Sequence, residues 1–154
     1  TGLSDSKILQ RNFWTAFADF AKEKSPGIKT TKPQPQNWMN IPIGRSGIRL
    51  CAVASFWDSA AGNFSTHELR AELVLDDNNS KTYFKQLETE KEQIENEVGE
   101  PLTWHNPPEK RMCRIYIRKP TNLQDKSKWP EQHAWLVEKL ELFRKVFAER
   151  VKNL

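Results

Sequence analysis

Three segments of the chain alternate apolar and polar residues with a period of two. In residues 48–57 the even positions are all apolar, from Ile48 to Phe56, whereas the odd positions are mixed, and a similar alternation recurs in residues 67–75 and 111–119. A two-residue period places successive side chains on opposite sides of an extended strand. These segments therefore predict β-strands that each bury one side. In the last of them Arg114, Tyr116 and Arg118 share the outward side.

A different period flanks these strands. Apolar residues recur at helical spacing in residues 6–24, 78–98 and 130–153, and this predicts three helices. Gly99 is expected to end the second helix, and Pro130 suits the first turn of the third.

A further strand is predicted at residues 38–43, where Pro42 favours an edge position because proline cannot donate to a neighbouring strand. Residues 38–75 then form a three-strand meander. Residues 102–108 are either the start of a strand or a loop.

The predicted order is α-β-β-β-α-β-α. It favours an α+β fold, a four-stranded and mainly antiparallel sheet with helices packed on it. The length of 154 residues suits one domain, with residues 1–5 as a linker. Since the sequence opens Thr1-Gly2 without an initiator Met, we expect a cut chain or a domain of a longer protein.

The composition favours a cytoplasmic protein. Cys51 and Cys113 lie in apolar stretches without a CxxC partner, so both are predicted to be buried, reduced thiols. No apolar stretch approaches 18 residues and the N-terminus carries no apolar segment, so neither a membrane partner nor a secretory signal is expected.

Charge is segregated along the chain. The net charge is +5 in residues 1–57, −8 in residues 58–109 and +7 in residues 110–154. The separation indicates either a basic face opposite an acidic one or an acidic central helix that neutralises its neighbours.

The basic regions motivate a first functional hypothesis, nucleic-acid binding. Cations neutralise phosphates and aromatic rings stack on bases. The predicted binding residues are Arg45, Arg49, Arg114, Tyr116, Arg118 and Lys119.

A second hypothesis is catalysis. The helix–strand order resembles that of PD-(D/E)XK nucleases, in which carboxylates hold Mg²⁺ and the metal activates water. The nearest matches are Asp58, Glu68 and Glu72, with Arg70 where that family has lysine. Magnesium is expected only under this hypothesis, and otherwise no cofactor is predicted.

A third hypothesis is a structural role. Trp38, Trp57, Trp104 and Trp129 all lie at the edges of predicted elements. If several converge on the surface, they mark an interface for domain docking or for a homodimer.

A resemblance to a bacterial family of domains of unknown function covers nearly the whole chain. The matching segments are residues 13–17, Lys32-Pro33, residues 37–47, Ile94-Glu95, residues 99–102, Arg114-Ile115 and Trp129-Pro130. The resemblance implies a C-terminal domain that follows a PD-(D/E)XK-like nuclease module and a linker similar to Leu3-Ser4-Asp5. It further implies a setting of DNA restriction or phage defence, and it marks the loop around Asp58 as a variable insert.

These observations together favour a non-enzymatic accessory domain. It is expected to bind nucleic acid or a partner on behalf of an upstream catalytic module of the same polypeptide.

Overall fold

The computed structural model describes residues 2–154. Their α-helices are α1 (Asp5–Lys24), α2 (Ser80–Glu88), α3 (Lys91–Val98) and α4 (Trp129–Lys152). Their strands are β1 (Trp38–Arg45), β2 (Ile48–Ser55), β3 (His67–Leu75), β4 (Thr103–His105) and β5 (Cys113–Thr121). A 3-10 turn, Lys126–Lys128, precedes α4.

The strands form one sheet in the order β1-β2-β3-β5-β4, and every neighbouring pair is antiparallel. The predicted α+β class is confirmed, and β1 lies at an edge as Pro42 indicated. The predicted count of four strands is wrong. The fifth is β4, whose Thr103 pairs with Tyr116 of β5.

The segment predicted as one helix, residues 78–98, contains two. The Thr89 hydroxyl donates to the Gln86 carbonyl at 2.6 Å, and the Glu90 N–H donates to Leu87. A threonine side chain that bonds nearby backbone competes with regular helix, and the chain turns here before α3 begins.

The main core lies between the helices and one side of the sheet. Leu69, Ala71, Leu73 and Leu75 of β3 face it and are almost fully buried. We call this side the helical face. His133 of α4 is buried in the same core, with its ring 4.5 Å from that of Phe13.

Acidic residues of the central region are paired with α4. Arg150 contacts Glu97 at 2.7 Å and Glu90 at 3.3 Å. Of the two arrangements that the charge segregation allowed, these contacts match a central region that neutralises a neighbouring helix. No helix in residues 2–154 has the length and apolarity that crossing a membrane requires.

Candidate functional site

The second side of the sheet, which we call the open face, carries the odd-numbered residues of β2 and the even-numbered residues of β3 and β5. Its small apolar cluster consists of Cys51, Val53 and Val74, with Met112 packed against it. This cluster is separate from the main core. Because side chains alternate along each strand, the residues that point away from the helices form a second surface, and on it they pack against and bury one another.

Strand register arranges this surface in rows. One row runs Arg49–Val74–Arg114 across β2, β3 and β5, and the next runs Cys51–Glu72–Tyr116. A third runs Val53–Arg70–Arg118. Apolar side chains therefore concentrate toward β2, and charged ones toward β3 and β5.

Six of the charged residues form what we call the arginine–carboxylate network: Asp58, Glu68, Arg70, Glu72, Arg114 and Arg118. Arg118 contacts Glu68 at 2.9 Å and Asp58 at 3.0 Å. Arg70 donates to Glu68 at 2.6 Å and to Glu72 at 2.7 Å. The Nη1 atom of Arg114 lies 3.4 Å from Glu72. Each carboxylate therefore has at least one guanidinium partner.

The centre of the network is closed to solvent. Glu68 is 0 % exposed, and Arg70 and Glu72 are buried. Burial opposes ionisation of Glu68, but hydrogen bonds from Arg70, Ser59 and Arg118 outweigh it and lower the pKa of its carboxyl. Burial likewise opposes the charge of Arg70, yet Glu72 and Glu68 raise its pKa above the ordinary value. Both groups are therefore held in their charged forms.

Tyr116 lies among the arginines. The Cζ atoms of Arg70 and Arg114 stand 5.4 Å and 5.8 Å from the centre of its ring, within the range of cation–π attraction. The ring is buried, which limits its outer face as a platform for a ligand.

Arg49 extends the charged surface toward β1. Its Nε donates to Asn40 at 2.9 Å, and its Nη1 lies 3.5 Å from Asp76. Arg111 meets the same Asp76 carboxylate at 2.9 Å. The first and last basic regions of the sequence thus meet on the open face.

A groove of about 340 Å³ crosses the open face between β1 and β5. Its floor contains the apolar cluster of Cys51, Val53 and Val74, and Trp38 and Met112 also line it. Burial, reinforced by Glu72, raises the pKa of the Cys51 thiol to about 12. Cys51 is therefore a neutral part of the floor and not a nucleophile.

Exposed aromatic residues stand near one end of the sheet. Trp38 of β1 is 42 % exposed, and Trp57, just after β2, is 41 % exposed. The Trp57 ring packs edge-on against Phe64 at 4.7 Å, and Phe64 is 72 % exposed. Trp104 and Trp129, in contrast, pack against the main core.

The structure brings together four of the six residues predicted to bind nucleic acid: Arg49, Arg114, Tyr116 and Arg118. It places Arg45 and Lys119 elsewhere. Arg45 donates to the carbonyls of Val151 and Leu154, both at 2.7 Å, and so caps the end of α4. Lys119 pairs with Leu69 and lines a separate hollow near the start of α4.

The residues of the nuclease hypothesis lie on the same surface, since Asp58, Glu68, Arg70 and Glu72 all belong to the network. No group of three His, Cys, Asp or Glu side chains within residues 2–154 has the geometry to hold a metal ion. As arranged, the carboxylates orient arginines.

Sequence reasoning missed the groove and the pairing of Arg111 with Asp76. The signal was present in part: Cys51, Val53 and Val74 are small apolar residues on strand sides that are otherwise polar. An apolar residue on the outward side of a strand indicates cover from another element or a surface that receives a ligand.

No curated protein and no solved structure matches the chain. A family model described as "Domain of unknown function (DUF4268)" matches residues 9–151, which include every residue of the arginine–carboxylate network. The chain therefore belongs to the DUF4268 family.

Proposed function

We propose that the chain is a non-catalytic binding domain whose open face holds nucleic acid on behalf of a nuclease-like module. The observation that carries this proposal is the meeting of Arg49 with Arg114 and Arg118 on one sheet surface beside an exposed tryptophan, Trp38. Phosphate contacts and aromatic stacking are the two main contributions to sequence-tolerant nucleic-acid binding.

The arginines keep donors for a ligand although each has a carboxylate partner. A guanidinium has five N–H donors. Arg114 uses Nη1 on Glu72, and among residues 2–154 its Nε and Nη2 have no protein partner. Among the same residues, Nη1 of Arg118 and Nη2 of Arg49 likewise have no protein partner and can donate to a ligand. Fixed by their carboxylates, these side chains lose less conformational entropy on binding phosphate than free surface arginines would.

The same contacts argue against cleavage by this surface. A metal-dependent hydrolase needs carboxylate oxygens open to Mg²⁺. Glu68 accepts from the Ser59 N–H at 2.8 Å as well as from two arginines, and it has no exposure. Magnesium at this position would have to displace those partners and leave buried cations unpaired.

The direct test is fluorescence anisotropy with labelled DNA and RNA over a salt series. We expect affinity to fall steeply and linearly on a double-logarithmic plot, because phosphate binding releases counterions. Arg114→Gln should weaken binding about tenfold and make the slope shallower by about one.

Arg11→Gln is the matched control. Arg11 is an exposed arginine of α1, on the helical side of the molecule, so its loss changes net charge equally without touching the open face. Failure of every nucleic acid to bind in a salt-sensitive way, or equal effects of the two variants, overturns the proposal.

A further inference from the structure

We infer that the groove on the open face receives an unpaired base, so that the domain prefers single-stranded to double-stranded nucleic acid. This inference rests on the proposed function and adds the form of the nucleic acid.

Part of the groove floor is apolar, whereas phosphate binding alone would favour polar groups throughout. Cys51, Val53 and Val74 supply this apolar part beside the buried side chains of Arg70 and Glu72, and no helix in residues 2–154 belongs to their cluster. A duplex presents its phosphates outward and keeps its bases stacked inside. A base can reach an apolar floor only after it has left the stack.

The wall carries an aromatic ring and an amide. Trp38 lines the groove and is 42 % exposed, so its ring is accessible for stacking. Asn37 also lines the groove, and its side-chain amide offers a donor and an acceptor, which match the polar edge of a base. Trp38 and Asn37 together therefore provide the two kinds of contact by which proteins read single strands.

The rim carries cations at both ends of one row. Arg49 and Arg114 both line the groove and flank Val74 in the register across β2, β3 and β5. Two strand spacings separate the backbones of Arg49 and Arg114 by about 10 Å. Phosphates on either side of an inserted base would therefore meet a guanidinium. The volume of about 340 Å³ lies at the lower end of the range of small-ligand pockets, about 300–1,000 Å³, and is large enough for a base.

The experiment compares four labelled 12-mers at one salt concentration: single-stranded DNA, single-stranded RNA of the same sequence, the DNA duplex, and an abasic DNA strand with the same number of phosphates. We expect at least one single strand to bind about tenfold or more tightly than both the duplex and the abasic strand. The abasic strand separates base recognition from phosphate attraction.

Two tryptophan variants provide the structural control. Trp38→Ala should weaken single-strand binding about tenfold, leave duplex binding unchanged and leave the salt slope unchanged, because the lost contact is stacking. Trp57→Ala removes a tryptophan of nearly equal exposure, 41 %, that does not line the groove, and it should change neither affinity.

Equal affinity for single, double and abasic strands overturns the inference and leaves phosphate binding by the open face intact. So does an equal effect of Trp38→Ala and Trp57→Ala. If the wild-type domain binds none of the four 12-mers, the proposed function and the inference are both overturned.

Discussion

The two faces of the sheet reach the same degree of burial by different means. Leu73 and Glu68 belong to the same strand, point to opposite sides, and are both 0 % exposed. Leu73 is covered by side chains of the helices, whereas Glu68 is covered by the arginines that neutralise it. The comparison teaches that a sheet surface can be closed by long charged side chains lying on one another, because their aliphatic stems exclude water while their charges are paired.

The two kinds of closure respond to different perturbations. An apolar core loses stability when atoms are removed and cavities form. A charged network loses stability when one partner changes its ionisation state and leaves the other unpaired.

The largest effect is expected on the helical face. Leu73→Ala should lower the free energy of unfolding by about 4 kcal/mol, since a large cavity would open in a region with no solvent access. Chemical denaturation measures the change, with Glu92→Gln on the exposed side of α3 as a control expected within about 0.5 kcal/mol. A loss below about 1 kcal/mol would show that the helices do not seal this face.

Acidification is expected to affect His133, which is buried in the main core, at a higher pH than Glu68 on the open face. Burial among aromatic rings, opposed only by the hydrogen bond to the Phe13 carbonyl, lowers the pKa of His133 to about 4. Since the unfolded chain titrates near 6.5, it binds the extra proton first. The contribution of His133 is therefore complete above about pH 6.5 and is lost as the pH falls toward 4, a change of about 3 kcal/mol.

The lowered pKa of Glu68 acts at lower pH. The stability it contributes is present above its ordinary pKa of 4.5 and is lost as the pH falls below that value. Denaturation curves from pH 8 to 3 should therefore show His133→Gln flattening the upper part of the profile alone. A profile between pH 6.5 and 4 that His133→Gln leaves unaltered contradicts the assignment.

The smallest effect is expected from Glu72→Gln on the open face. The variant keeps the shape but removes the charge that faces Arg70 at 2.7 Å and Arg114 at 3.4 Å, at a cost of about 2 kcal/mol. Combined with Arg114→Gln, it should cost less than the sum of the two single changes, because both remove the same contact. Additive losses would indicate that the two side chains do not interact in solution.

The two-residue period accounts for most of what the sequence could predict. It assigned Cys113, Ile115 and Ile117 to the core and Arg114 and Arg118 to the opposite side, as the structure has them. It could not decide between a strand and a loop at residues 102–108, because β4 has only three residues, too few to show a period; in the structure Trp104 of β4 packs against Phe84.

The candidate site was only partly predictable for a related reason. The sequence offered arginines and carboxylates as residues of two rival sites, and their pairing follows from the register that aligns Arg70 with Arg118 across two strands. Arg45 illustrates the same limit. It was predicted to bind nucleic acid, yet its guanidinium donates to the carbonyl of Val151, which lies 106 residues away in sequence.

The two cysteines of the chain lie on opposite sides of the sheet, Cys51 in the apolar cluster of the open face and Cys113 in the main core. Burial raises the pKa of both thiols, so we expect both to react slowly with thiol reagents. The rate at which a thiol reagent modifies each cysteine under native conditions therefore measures how often that thiol becomes accessible from its own side of the sheet. The two cysteines therefore report separately on the two sides of the sheet.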